Sequence, residues 1–338
     1  MSTGMQPYDA YRNWSGGRIS DQYWRSRYYF LASRGYTLRD HFRPERESSG
    51  DTDPVCDFRQ RPYLDAPDGI DARSEDGSFV VVRRMETTSQ ELALLLRFSQ
   101  PSMRSNPWNH CTPIHTTFDD PDDPFATFVV TPLLCPSEEV RFRNVDDIFN
   151  FIANILEGVA FFHAHGISHV IPAPSELPFP LGFDIAKVVD WGTVDPTFLS
   201  LSAKYVTDIW MHSEFRVYFA HLHHCKVEHP NAAVAPQAEQ TDKPSPHDAQ
   251  CAEGSTPMSM SLGGPATMTQ DMKQDVVAVS ARFIRRFRKR NEIALYFLTD
   301  FEEMLETQDP PDAVTALRKW RKLQYSLTWI KRRFWPVR

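Results

Sequence analysis

Residues 76–96 read DGSFVVVRRMETTSQELALLL, and the parsing of this stretch decides the fold. The valine run in GSFVVVRRM (77–85) predicts a strand. A helix is expected from about Thr88 through Phe98, its start marked by the capping pattern Thr88-x-x-Glu91. Further on, CTPIHTTF (111–118) and FATFVVTPLL (125–134) predict two more strands, with DDPDDP (119–124) as the turn between them. Strand, helix, strand, turn, strand makes a small α+β unit.

Outward from this unit, DQYWRSRYYFLASRGYTLRDHF (21–42) places Tyr23, Tyr28, Phe30 and Leu31 at helical spacing and stops at Gly35. Residues 1–19 read as a loose tail without the apolar middle of a signal peptide. The segment 44–72, rich in Pro, Asp and Ser, reads as loop. After Pro136 the character changes. NVDDIFNFIANILEGVAFFHAHG (144–166) lines up Ile148, Phe151, Ile152, Ile155, Leu156, Val159 and Phe162 on one helical stripe, with Asn144 to cap its start and Gly166 its end. An irregular proline-rich region follows. Residues 227–270 carry few large apolar side chains, so burial there cannot offset ordering entropy, and a disordered insertion is expected. Helical patterning resumes in 275–290, 292–308 and 312–334.

The 338 residues are 41% hydrophobic and 24% charged, a globular composition with room for two lobes. A net charge of -7 argues against a molecule built as a whole to attract nucleic acid. Five scattered cysteines, with no CxxC pair, fit a reducing compartment. No apolar run is long enough to span a bilayer. An intracellular protein, cytoplasmic or nuclear, is the expectation.

In order and spacing these segments resemble a protein kinase, most closely the divergent kinase-like proteins of mushroom-forming fungi. DGSFVVVRRMETTSQELALLL resembles the strand with the ATP-contacting lysine and the helix with its glutamate partner. FATFVVTPLL resembles the hinge strand, and IFNFIANILEGVAFFHAHGISH (148–169) the helix leading to the catalytic loop. QDVVAVSARFIRRF (274–287) resembles the buried central helix, and FEEMLETQDPPDAVTALRKW (301–320) the final helices. FLASRGYTLR (30–39) and NHCTPI (109–114) resemble stretches of the fungal proteins. The resemblance implies a two-lobed kinase-like fold of α+β class, with a small strand-rich N-lobe (20–135) and a larger helical C-lobe (136–338) that contains the insertion.

Phosphoryl transfer rests on positioning and electrostatics, so each position can be judged by its chemistry. No GxGxxG precedes the valine run, so a tight wrap around phosphates is not expected. At the lysine position stands Arg83, which keeps the charge but is planar and bulkier. It either pairs with Glu91 or is a surface arginine, Glu91 then only closing the capping box. Against the pattern His-Arg-Asp-x-x-x-x-Asn, HGISHVIPAPSE (165–176) puts His169 on the histidine, Ile171 on the catalytic aspartate and Glu176 on the metal-binding asparagine. Ile171 can neither accept a proton nor orient a hydroxyl. Asp190 and Asp208 compete for the metal-loop aspartate. Asp275 matches the aspartate that ties the central helix to the catalytic loop, or is a helix-start carboxylate. Both readings of it are structural.

HLHHCKVEH (221–229) holds several zinc-type ligands, but its spacing fits no common structural zinc pattern, and it reads as a polar junction into the insertion. Cys111 follows His110 directly, and neighbours on a strand point to opposite faces, so the two form no catalytic dyad. The basic C-terminus, RKWRKLQYSLTWIKRRFW (318–335), reads as an amphipathic helix with its aromatics turned inward. The resulting expectation is a pseudokinase that binds or regulates a protein partner. It needs no metal or cofactor, with ATP and Mg²⁺ at most weakly bound. The alternatives are an active ATP-dependent Ser/Thr kinase and a lipid- or RNA-associated adaptor acting through the basic helix.

Overall fold

The computed structural model describes residues 21–45, 69–136, 142, 144–171, 181–184, 215–228, 268–291, 295–328 and 331–332. Its centre is a five-stranded antiparallel sheet built from β1 (Tyr36–Leu38), β2 (Gly69–Ser74), β3 (Phe79–Glu86), β4 (Thr116–Asp120) and β5 (Asp123–Pro132). The strand order is β1-β2-β3-β5-β4. Successive side chains of a strand point to opposite faces, and here both faces are covered. Val80 and Val82 of β3 join Ile70, Phe128 and Val130 in one core, while Val81 and Met85 join Val129 and Leu133 in another. Burial on both sides is why β3 reads as an unbroken valine run.

One face is covered by α1 (Asp21–Ser33), whose Trp24, Tyr28 and Leu31 recur at helical spacing and are buried. Gly35 ends it with φ +87°, a left-handed conformation that glycine adopts freely. The other face meets α2 (Gln90–Ser99) through Leu92, Leu95 and Phe98. The cap of α2 is not Thr88. Ser89 occupies that position, its Oγ accepting from the Leu92 N–H at 3.3 Å. Glu91 is therefore not at the third helical position, where a capping box would hold it, and its carboxylate is drawn to the sheet instead.

Several sequence expectations need correction. Residues 69–72 belong to strand β2, not to a loop. Polar GIDARS hides this, because Asp71 is fully buried against Arg39, whose Nε donates to it at 2.6 Å. The strand expected over 111–118 forms only from Thr116; Cys111 makes an isolated parallel bridge to Phe219. Short strands β6 (Leu134–Pro136), β8 (Leu181–Asp184) and β9 (Val217–Phe219) make a second sheet, and β7 (Ile167–Ser168) pairs with β10 (Lys226–Val227). Val227, assigned to the insertion, is thus in a strand; residues 229–267 lie outside the described residues.

The helices surround α3 (Val145–Ala164), capped by Asn144, whose Oδ1 accepts from the Asp147 N–H at 3.0 Å. Its expected stripe is buried, and so are Phe149 and Phe161 outside it. The helix expected at 275–290 begins at Gln270, because Thr269 caps it. It runs as α4 (Gln270–Val279), a π-helical stretch Ser280–Ile284, and α5 (Arg285–Arg290). A 3₁₀ turn, Tyr296–Leu298, leads into α6 (Thr299–Leu305), shorter than the segment 292–308 expected. The last long helix, α7 (Ala313–Ser326), turns Ala316, Leu317 and Trp320 into the core. Trp320 packs between Phe149 and Phe301 and donates from Nε1 to the Phe149 carbonyl at 2.9 Å. No described helix is long and apolar enough to cross a membrane.

Candidate functional site

The alternation that sends Val81 and Met85 toward the helices sends Arg83 the same way. There it meets Glu91, in the first turn of α2. The contact is bidentate: Nη1 donates to Oε1 at 3.0 Å and Nη2 to Oε2 at 3.2 Å, with both side chains buried. Arg83 Nη1 also reaches the Ala220 carbonyl at 3.4 Å, and the Leu222 N–H donates to Glu91 Oε1 at 3.0 Å. One ion pair thus ties together the sheet, α2 and the segment after β9. Burial alone would raise the Glu91 carboxyl; Arg83 and His221, with the hydrogen bonds from Arg83 and Leu222, overcome it and hold the group at about 2.

A second buried carboxylate holds the facing loop. Asp275 accepts from the Ile171 N–H at 2.9 Å through Oδ1, and its Oδ2 lies 2.9 Å from His163 Nε2. Asp275 sits in the second turn of α4, not at its start, so the helix-start reading gives way to a loop anchor. Ile171 is 3% exposed and Val170 fully buried. His169, just before them, takes φ +57°, a left-handed backbone uncommon outside glycine. That turn sends Val170 and Ile171 into the core.

The β7–β10 pairing sets this loop beside residues 220–225. His224 Nε2 lies 3.4 Å from the Val170 carbonyl, and its ring centroid is 6.2 Å from that of His169. Burial and its histidine neighbours lower His224 to about 4, leaving it neutral near pH 7. Gln90 Nε2 donates to the Cys225 carbonyl at 2.8 Å. Burial pushes the Cys225 thiol well up and the Cys111 thiol to about 12, so neither offers a thiolate. His110 Nδ1 lies 2.7 Å from the Val217 carbonyl, away from any cysteine chemistry.

The structure therefore brings together Arg83, Glu91, His169, Ile171 and Asp275. Glu176, Asp190 and Asp208 lie outside the described residues. Sequence reading missed His221 and Leu222 as the neighbours of Glu91. The signal was the apolar triplet Val217–Phe219 just before them, which marks a strand delivering the next residues to Glu91. Chemically, Glu91 and Asp275 are buried carboxylates that each bond internal partners, and the described part of the loop carries the aliphatic Val170 and Ile171. No protein-family model matches the chain, and no match is found among curated proteins.

Proposed function

We propose that this chain is a kinase-like protein that does not transfer phosphoryl groups and acts by binding and regulating a protein partner. In protein kinases the phosphate-contacting lysine lies on the third strand, its glutamate on the following helix, and an aspartate of the catalytic loop handles the substrate proton. Here the third strand carries Arg83 and the following helix Glu91, in a closed buried pair. The loop after α3 and β7 offers Ile171, buried and tied by its N–H to Asp275. That last observation carries the reading: the frame of the site is kept while the proton-handling position is hydrocarbon. On this reading His221-Leu222-His223, which lies against Glu91, is a further candidate for the metal-loop position beside Asp190 and Asp208.

The test is Mg²⁺-dependent phosphate transfer from ATP together with thermal stabilisation by MgATP. A ligand at a hundred times its Kd adds about 2.7 kcal/mol of stability. No transfer and no shift is the expected result. Transfer that follows protein concentration and is abolished by Arg83→Met would overturn it.

A further inference from the structure

The histidine segment acquires a partner in space that it lacks in sequence. Glu91, His221 and His223 each offer a ligand atom, and the three atoms lie within 4.8 Å of one another. The backbone that carries the two histidines is anchored at Leu222, a buried residue whose N–H is bonded to Glu91 Oε1. The ring centroids of His221 and His223 are 6.1 Å apart, and His224 follows with its ring centroid 4.8 Å from that of His223.

We propose that Glu91, His221 and His223 form a binding site for an imidazole-preferring divalent transition metal of the Zn²⁺ class. The proposal is independent of the kinase-like reading. Two imidazoles and one carboxylate suit Zn²⁺, Co²⁺ or Ni²⁺, whereas Mg²⁺ and Ca²⁺ ask for oxygen ligands. Glu91 has capacity for the task. A carboxylate offers about four lone-pair positions. Arg83 and Leu222 both use Oε1, while Oε2 takes the Arg83 Nη2 bond, leaving Oε2 a position for the cation.

Metal–ligand bonds of about 2.0–2.1 Å in a tetrahedron put ligand atoms about 3.3 Å apart. From separations within 4.8 Å, the three close in by at most about 1.5 Å. His223 is exposed and can swing inward by side-chain rotation, while Glu91 and Leu222 stay fixed. The Arg83 guanidinium beside the site repels any divalent cation alike and lowers the affinity, so the preference among metals rests on the two imidazoles. With three protein ligands, the fourth position is open to water or an outside ligand.

The experiment uses full-length, tag-free, chelator-treated protein. It is titrated with Co²⁺, read by visible absorbance, and with Zn²⁺, read by thermal shift, with Mg²⁺ as comparison. One equivalent should bind with stabilisation, Mg²⁺ should give none, and His223→Ala should lower the affinity at least tenfold. His223 is exposed, so that variant keeps the fold; His221→Ala should lose binding as well. Failure of the wild-type protein to bind one equivalent, uptake unchanged by His223→Ala, or equal stabilisation by Mg²⁺ would overturn the proposal.

Discussion

Arg83 shows what a single residue decides here. Its charge is buried and paired bidentately with Glu91, and breaking such a pair leaves an uncompensated charge in the interior, at about 3–5 kcal/mol. Arg83→Met is expected to destabilise by that amount in urea unfolding. The double variant Arg83→Met, Glu91→Leu should recover part of it, because two apolar side chains need no partners while the Leu222 N–H and Ala220 carbonyl lose theirs. The pair also sets an acid limit. Glu91 is held at about 2 against an ordinary 4.5, so the unfolded chain takes up its proton first as pH falls. The stability it contributes is full above about pH 4.5 and drains away as pH falls toward 2. Unfolding free energy measured across that window should slope downward for the wild type and less steeply in the double variant, the remaining slope coming from Asp76, Asp123, Glu157 and Glu302, which are also held low. The valine run and the two residue types were readable in sequence. That they meet was not, because the competing capping role of Glu91 depends on which of two adjacent hydroxyl residues starts α2.

At the scale of elements, α3 and β9 meet at a glycine. A Cβ on Gly158 would stand 2.4 Å from Phe219 Cε2 and 3.0 Å from His110 Cβ, and both neighbours are themselves buried. Alanine gains up to about 1 kcal/mol of helix propensity, but overpacking a full core costs about 1–3 kcal/mol. Gly158→Ala should lower the melting temperature by calorimetry, although it improves the helix in isolation. The long helix itself was plain in the sequence, since seven apolar residues on a stripe admit no other element. Strands β2, β8 and β9 were not. Two are only three or four residues long, and β2 depends on an Asp71–Arg39 contact across a connection that looks like loop. The early start of α4 turned on Thr269, a cap at the edge of a segment whose composition suggests disorder.

Across the whole molecule, one apolar cluster runs from Val81 and Leu95 on the sheet side to Phe162, Phe219 and Trp320 among the helices. Parts that share a core this continuous should not melt separately. Near- and far-ultraviolet circular dichroism should therefore give coincident urea transitions, and two separated transitions would argue against that continuity. The α+β class followed from the order of segments. The covering of the sheet by α1 rested on Trp24, Tyr28 and Leu31, whose cluster draws on strands as far along the chain as Phe128 and Val130. Ile171 and Leu222 each hang by a backbone N–H from a buried carboxylate, Asp275 and Glu91. Those two amides can trade their protons for deuterium only when a carboxylate lets go, so their exchange rates clock the release of these two anchors.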